Sequence, residues 1–247
     1  MTFSQTLKLA AATAALGMTL PAFAQDETEG WTGEGSLSAG VTTGNTETTD
    51  LGLGVDVGRD FGVWAVGAKA SADYGETDGA ETKNRIFLGG NVDRQINDKL
   101  FGFGQASYEK DEFSGFESRT YLGGGLGYEI FSSDQLGWVV RGGPGLKLDE
   151  VLNPDTGEVD TEESLGASAE SNFNYTFNDN VGFTNDTTVL YAETSTQIGN
   201  IAALTASLTD TLSARVSFEV RHDTDPVEGF EATDTISRVS LVYAFGN

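Results

Sequence analysis

The segment LSARVSFEVR, residues 212–221, alternates apolar and polar side chains without interruption. Its Leu, Ala, Val and Phe residues share one parity, and its Ser, Arg and Glu residues share the other. A period of two residues is typical of a β-strand with one apolar and one polar face. The same pattern recurs in residues 63–74, 118–131 and 234–245, whereas a helical period of 3.6 residues is hard to find. The sequence therefore predicts an all-β protein.

Segments of this kind, each about ten to fourteen residues long, account for most of the chain after residue 30. They span residues 31–43, 48–59, 63–74, 83–95, 99–110, 118–131, 137–148, 163–175, 180–191, 197–208, 212–222 and 234–245. A tilted strand needs about ten residues to cross the hydrocarbon core of a membrane. Strands of soluble β-proteins usually have about five or six. We therefore expect residues 31–247 to form a transmembrane antiparallel up-and-down β-barrel of twelve strands.

The connections between these segments alternate between two kinds. One kind is tight and contains Asn or Asp, which suit turns because their side chains bond the local backbone; these connections lie at residues 59–62, 96–99, 132–135, 177–180 and 209–211. The other kind is mostly longer and lacks Lys and Arg, with residues 149–161 and 223–233 as its longest examples. Outer-membrane barrels have short periplasmic turns and longer outer loops. This pattern predicts a bacterial outer-membrane location with both termini in the periplasm.

The first 24 residues have the features of an export signal. Lys8 precedes an apolar stretch at residues 9–20, and Ala22-Phe23-Ala24 has the small-x-small pattern that signal peptidase cleaves. Twelve apolar residues are too few for a membrane-spanning helix, which needs about 18 or more. We therefore predict a signal peptide over residues 1–24, followed by a short periplasmic segment over residues 25–30.

Composition excludes several classes of function. The chain has no cysteine, which excludes disulfides and thiolate chemistry. Its formal net charge of −24 argues against binding to nucleic acid, whose phosphates need a basic surface. The one histidine, His222, has the apolar parity of its strand and is expected at the lipid side. We therefore predict no catalytic residues, no cofactor and no metal ligands, and a lipid-directed hydrolase is the least favoured alternative.

Charged residues within the strands share the polar parity. A charge on the lipid face would cost about 2–4 kcal/mol at the bilayer midplane, so these side chains are expected to face the lumen. The candidate lumen-lining residues are Lys69, Arg85, Arg119, Glu129, Arg141, Lys147, Arg215, Glu219, Arg221 and Arg238. Two interpretations remain open, a selective channel with charged walls and a lumen closed by internal ion pairs. Under the second interpretation, Glu129 is expected among the partners of Arg119 and Arg141.

Two strands depart from the simple pattern. In residues 99–110, Phe101 and Phe103 share the parity of Gln105 and Glu109, so either face of this strand could face lipid, or a bulge could switch its phase. In residues 137–148, Pro144 removes one donor from the backbone ladder. We expect a bulge at this proline.

Acidic residues are concentrated in the connections expected outside the cell, chiefly around residues 149–163 and 223–231. A solvated anionic surface is the favoured interpretation. Divalent cations that bridge these acidic loops to lipopolysaccharide are the functional alternative.

Several motifs, in order along residues 37–245, resemble one known family. They are Thr43-Gly44-Asn45, YEKDEFSG at residues 108–115, GGGLGY at 123–128, GGPG at 142–145, VRHDTDP at 220–226, TDT at 233–235 and LVYAF at 241–245. They resemble the YdiY-like family, whose members are called salt-induced outer-membrane proteins and whose domain has no assigned function. Departures from the family pattern are the acidic insertion at residues 155–163 and the extension Gly246-Asn247.

The resemblance implies an outer-membrane barrel of unassigned specific activity, in contact with outer-membrane lipid and lipopolysaccharide. It is compatible with a narrow solute or ion channel linked to salt or osmotic adaptation, and equally with a structural or surface-interaction barrel. It supplies no catalytic residues. Tyr243 and Phe245 resemble the terminal aromatic signal of outer-membrane barrels, which implies that the barrel-assembly machinery is a partner during biogenesis.

Overall fold

A computed structural model of the chain describes residues 30–44, 48–152, 159–193, 195–227 and 229–246. The predicted signal peptide, residues 1–24, lies outside the described residues, as does all of the predicted periplasmic segment except Gly30. No helix long and apolar enough to cross a membrane occurs in the described part of the chain.

The described residues form twelve strands, and each corresponds to one of the predicted segments. The strands are β1 (Thr32–Thr43), β2 (Thr48–Asp60), β3 (Trp64–Thr77), β4 (Ala80–Gln95), β5 (Leu100–Asp111), β6 (Phe116–Ser132), β7 (Leu136–Leu152), β8 (Val159–Asn178), β9 (Val181–Ala192), β10 (Thr196–Ser207), β11 (Leu212–Asp223) and β12 (Thr233–Phe245).

The strands close into a barrel in which each is antiparallel to its neighbours in sequence. The barrel is closed by pairing of β1 with β12, which runs from Gly33 opposite Phe245 to Thr43 opposite Thr235. Closure pairs the backbone groups of the two terminal strands, and such pairing is required where lipid offers no hydrogen bonds. The predicted twelve-stranded transmembrane barrel is confirmed.

The two faces of the wall have opposite polarity. On β2, Asp50 is 1% exposed, whereas its neighbour Leu51 is 64% exposed on the outer face. This arrangement is inverted relative to a water-soluble protein and is the one expected in hydrocarbon. Exposed aromatic side chains lie near the strand ends, with Trp64 and Tyr243 at one end of the barrel and Tyr191 at the other.

The two ends of the barrel carry different connections. We call the end with the connections 61–63, 96–99, 133–135, 179–180 and 208–211 the turn side; the other end, with the connections 44–47, 78–79, 112–115, 153–158, 193–195 and 224–232, is the loop side. The five tight turns are found where they were predicted. The loop side is shorter than predicted, since β3 and β4 are joined by Asp78 and Gly79 alone, with φ of 53° and 80°.

The connection predicted over residues 149–161 is largely strand. β7 continues to Leu152 and β8 begins at Val159, so only residues 153–158 lie between them. The prediction was wrong because acidic residues were taken to mark a loop. Asp149 continues the inward parity of Lys147, and its carboxylate lies 2.6 Å from the Lys147 ammonium.

The phase of β5 is settled by its two phenylalanines, which face the interior. Phe101 and Phe103 are buried and pack with Val139 of β7. The pairing of β4 with β5 has no register shift, so Gln105 and Glu109 face inward as well. A mixed apolar and polar inner face therefore explains the ambiguous pattern.

The bulge expected at Pro144 is not present. The register between β6 and β7 is the same on both sides of Pro144, and it shifts instead between Glu129 and Phe131. Pro144 points outward. Strand pairing continues on either side of it, with Gly142 opposite Leu126 and Gly145 opposite Gly123.

Candidate functional site

The lumen is the part of the molecule where polar chemistry is concentrated. All ten predicted lumen-lining residues lie on inward-facing positions of their strands. Arg119 and Arg221 keep about a fifth to a quarter of their side-chain surface exposed, at 21% and 25%. Most of the others are buried, which is tolerated for charges only when each has a partner.

Six of the inward charges form a closed ring of alternating sign in the loop-side half of the lumen. The ion-pair ring consists, in order, of Asp73, Arg85, Glu109, Arg221, Glu219 and Arg238. Arg85 contacts Asp73 at 3.5 Å and Glu109 at 2.9 Å. Arg238 contacts Glu219 at 3.1 Å and Asp73 at 3.0 Å, which closes the ring.

The ring joins opposite walls of the barrel. Glu109 lies on β5 and Arg221 on β11, which are six strand positions apart in either direction around the wall. Their side chains are 3.7 Å apart, so they meet across the lumen. This contact is therefore a bridge of side chains across the lumen at this level.

A second group of charges reinforces this crossing near the loop side. Arg119 of β6 donates to Asp223 of β11 at 2.9 Å and lies 3.8 Å from Asp149 of β7. Lys147 pairs with Asp149 and donates to Ser195 at 3.0 Å. Asp149 and Asp223 were expected in outer loops. Their positions are instead continuations of strand parity, a signal that was available in the sequence.

The turn-side half holds more isolated pairs. Arg141 donates to Glu170 at 2.7 Å, and Gln105 donates to the same carboxylate at 2.8 Å. Arg215 forms a two-pronged pair with Glu34, at 2.8 and 3.2 Å. Two-pronged pairs of this kind are the strongest charge-assisted hydrogen bonds of arginine.

The expected pairing of Glu129 with Arg119 or Arg141 is wrong. Arg119 is bound by Asp223 and Asp149, and Arg141 is bound by Glu170. Glu129 lies opposite Val139 on β7, next to the register shift. Parity places a side chain inside the barrel, but it does not say which strands meet across the interior.

A cavity of about 150 Å³ lies in the lumen next to the Arg141–Glu170 pair. Its lining includes Lys69, Phe87, Tyr121 and Arg141. The Lys69 ammonium and one Arg141 nitrogen are buried there without a hydrogen-bond partner among the described residues. A cavity of this size has room for several water molecules, and ordered water is the usual partner of buried donors of this kind.

A wider space of about 520 Å³ opens at the turn side and is called the turn-side vestibule. Its lining includes Glu34, Asn174, Thr205, Ser213 and Arg215. The lumen therefore opens into this vestibule at the turn side and is crossed by charges at the loop side.

The family of the chain follows from comparison with known proteins. A family model described as "Protein of unknown function, DUF481" matches residues 35–245. The chain belongs to this family. It is 25% identical over 214 residues to the uncharacterized protein YdiY of Escherichia coli (strain K12). This match covers 85% of this chain and 82% of YdiY. The resemblance to the YdiY-like family is confirmed.

Solved structures similar to this DUF481 barrel are membrane barrels. The NanC porin matches with a TM-score of 0.57 and 11% identity, over 85% of this chain and 98% of the porin. The translocator domain of the autotransporter NalP from Neisseria meningitidis matches with a TM-score of 0.52 and 13% identity, over 87% of this chain and 88% of that domain. The COG4313 outer membrane channel from Pseudomonas putida F1 matches with a TM-score of 0.52 and 7% identity. The match covers 90% of this chain and 99% of the channel. At these identities the similarity concerns the fold alone.

The remaining predicted residues of this DUF481 barrel lie on its outer face. His222 bonds Thr233 through Nδ1 at 2.9 Å and points away from the lumen, so it does not meet the inward acids. Tyr243 and Phe245 lie at the turn-side end of β12, and the Phe245 ring packs over Gly33 of β1. Their role in assembly stays a prediction.

The acidic loops contain no described cluster of three or more metal-ligating residues. Asp155, Glu158 and Glu228 lie outside the described residues. Bridging of the loops by divalent cations therefore stays a prediction.

Proposed function

We propose that this protein is an outer-membrane barrel whose lumen is closed by ion pairs, with a structural or surface-interaction role in the cell envelope. The observation that carries the proposal is the ion-pair ring, in which Glu109 and Arg221 meet from opposite walls at 3.7 Å. A solute that crossed this level would have to pass between side chains of opposite charge that meet across the lumen.

The charge balance of the loop-side half supports closure. Ion pairs within 4 Å join six basic to six acidic side chains, namely Lys83, Arg85, Arg119, Lys147, Arg221 and Arg238 with Asp50, Asp73, Glu109, Asp149, Glu219 and Asp223. Each of these twelve side chains has an opposite charge within 4 Å, which weakens its attraction for a permeating ion. Separating such a pair by removing one member costs about 3–5 kcal/mol where the pair is buried.

The outer-membrane location rests on three independent supports. They are the apolar outer face with aromatic side chains at its ends, the fold shared with outer-membrane barrels, and the export signal predicted at residues 1–24. Periplasmic termini, contact with lipopolysaccharide and delivery by the barrel-assembly machinery belong to the same proposal.

A narrow channel is the second candidate. The turn-side vestibule and the cavity beside Lys69 leave space in the turn-side half, whereas at the ring the side chains of opposite walls meet. In this case the ring acts as a closed gate. A link to salt or osmotic adaptation rests on the family resemblance alone, and a lipid-directed hydrolase remains the least favoured role.

Planar-bilayer recording tests the closed lumen. We expect the wild type to be silent, and Glu109→Ala combined with Arg221→Ala to produce discrete conductance steps. This double variant removes the ring contact between β5 and β11, but it leaves the Arg85–Asp73 and Arg238–Glu219 pairs and the Arg119–Asp223 contact between β6 and β11. The triple variant that adds Arg119→Ala removes both crossings.

The matched control is Lys110→Ala combined with Glu117→Ala, which removes an exposed pair of the same signs 3.0 Å apart. It should remain as silent as the wild type. Regular conductance steps from the wild type would contradict closure and favour the channel. A silent ring variant with a native circular dichroism spectrum would show that the ring is not the barrier.

A further inference from the structure

The lipid-facing surface of β9 and β10 carries polar side chains where an apolar surface is expected. Asn185 and Thr187 on β9 and Asn200 on β10 have outward parity, while the intervening Asp186 is buried on the lumen side. Thr187 and Asn200 are directly opposite each other in the strand register. The three side chains therefore form one group on the outer wall, which we call the asparagine cluster.

The asparagine cluster lies within the hydrocarbon band. On β9 its residues come between Phe183, near the turn side, and Tyr191, near the loop side. Aromatic side chains of this kind mark the two membrane interfaces. On β10, Asn200 lies between the outward Ile198 and Ala202. Acyl chains at this depth offer no hydrogen-bond partner, so exposed amides are costly there.

The cluster satisfies part of its own hydrogen-bonding capacity. Asn200 donates to Thr187 at 2.8 Å and to Asn185 at 3.2 Å, and Asn185 donates back to Asn200 at 3.3 Å. Each amide has two donor hydrogens and a carbonyl that accepts twice. Among the described residues, one N–H of Asn185 and one acceptor site on each carbonyl thus remain without a hydrogen-bond partner.

A groove begins beside the cluster. It has a volume of about 430 Å³, its lining is mostly apolar, and it includes Thr187, Val189 and Ser171. Gly142 and Ala169, which are adjacent in the register of β7 and β8, form its floor, and Leu126 and Val140 line its side. Small residues at such a surface allow two membrane proteins to approach closely.

We infer that the outer face from β6 to β10, which holds both the groove and the asparagine cluster, is the interface between two copies of this chain in the membrane. An amide is both donor and acceptor, so a two-fold axis beside the asparagine cluster places complementary groups opposite each other. The side chains of the partner then occupy the groove. A lipid acyl chain could fill the groove but would leave the amides unsatisfied, which favours a second copy as the occupant.

The absence of cysteine from the chain allows a direct cross-linking test. Val189→Cys places a thiol in the groove, and Ala70→Cys places one on the outward face of β3, six strand positions away. In outer-membrane vesicles treated with copper phenanthroline, we expect Val189→Cys to give a disulfide-linked dimer and Ala70→Cys to stay monomeric. Equal cross-linking at both positions would indicate random collision and overturn the inference.

A second variant tests the role of the amides without harming the fold. Asn185→Leu combined with Asn200→Leu makes the lipid face more apolar, so the monomer should remain folded by circular dichroism and by heat-modified gel mobility. We expect this change to reduce the Val189→Cys dimer at least tenfold. The matched control Ser237→Leu, which removes an exposed outward hydroxyl on β12, should leave the dimer unchanged.

Light scattering of the purified wild type in lipid nanodiscs gives an independent mass. Two copies per particle are expected. A monomer that gives no Val189→Cys dimer would mean that lipid alone covers this face, and a conjugate of another mass would mean a different protein partner; each result overturns the inference. These outcomes do not depend on whether the lumen conducts.

Discussion

Arg141 illustrates how single residues stabilise the interior of this barrel. Its guanidinium and the Glu170 carboxylate are almost fully buried, with 2% and 4% of their side chains exposed. Gln105 donates to the same carboxylate. The pair contributes little in isolation, because desolvation offsets much of the attraction, but loss of one member leaves a buried charge without its counterion.

Arg141→Ala should therefore lower the free energy of unfolding by about 3–5 kcal/mol, as measured by urea unfolding in lipid vesicles. Lys110→Ala, which breaks only exposed pairs with Glu117 and Glu112, should have a much smaller effect, because solvent screens exposed ion pairs. Arg141→Met combined with Glu170→Leu should recover much of the loss, because neither charge then remains. Equal stabilities of the two single variants would contradict this account.

At the scale of elements, β6 and β7 approach each other more closely than side chains permit. A Cβ at Gly143 would lie 2.2 Å from the carbonyl oxygen of Gly124 and 2.6 Å from the Cα of Gly125. Both contacts are with backbone, which cannot move aside without breaking the ladder. The glycine motifs at residues 123–128 and 142–145 therefore allow close strand contact here.

Gly143→Ala should reduce the fraction of protein that refolds into the heat-modifiable barrel. Gly199→Ala is the matched control, because it is also an inward strand glycine and a Cβ there would meet nothing within 4 Å. The two variants differ in surroundings and not in chemistry. Equal refolding yields, followed by gel mobility without heating, would be incompatible with the close contact.

The closing strand β12 carries the proposed assembly signal. The Phe245 ring covers Gly33 at the turn-side end of the pairing with β1. We expect Phe245→Ala to lower the amount of barrel in the outer membrane more than deletion of Gly246 and Asn247 does. The measurement is quantitative immunoblotting of membrane fractions. Normal membrane levels of Phe245→Ala would show that Phe245 is not required as a signal.

At the scale of the whole molecule, the orientation of the barrel is the testable property. We expect Gly229→Cys, in the connection between β11 and β12, to react with a membrane-impermeant thiol reagent on intact cells. Asn97→Cys and Asp210→Cys, at turn-side connections, should react only after the outer membrane is permeabilised. The opposite labelling pattern would place the turn side outside. Thr156, in the other long connection, lies outside the described residues.

The sequence by itself determined the strands and their faces. In residues 212–221 the alternation assigns every side chain to the lumen or to lipid, and the structure agrees with each assignment. This is possible because successive residues of a strand point to opposite faces, whatever its neighbours are. The five tight turns were predictable for the same reason, since Asn and Asp act on the backbone next to them.

Only the tertiary structure decided which inward charges meet and whether they cross the lumen. Arg119 and Asp223 are 104 residues apart in sequence, and Glu34 and Arg215 are 181 apart. The partner expected for Arg119 and Arg141, Glu129, was wrong although its parity was right. Parity is a local property of one strand. Contact across the lumen depends on the registers of all twelve strands together, because these set the tilt and diameter of the closed barrel.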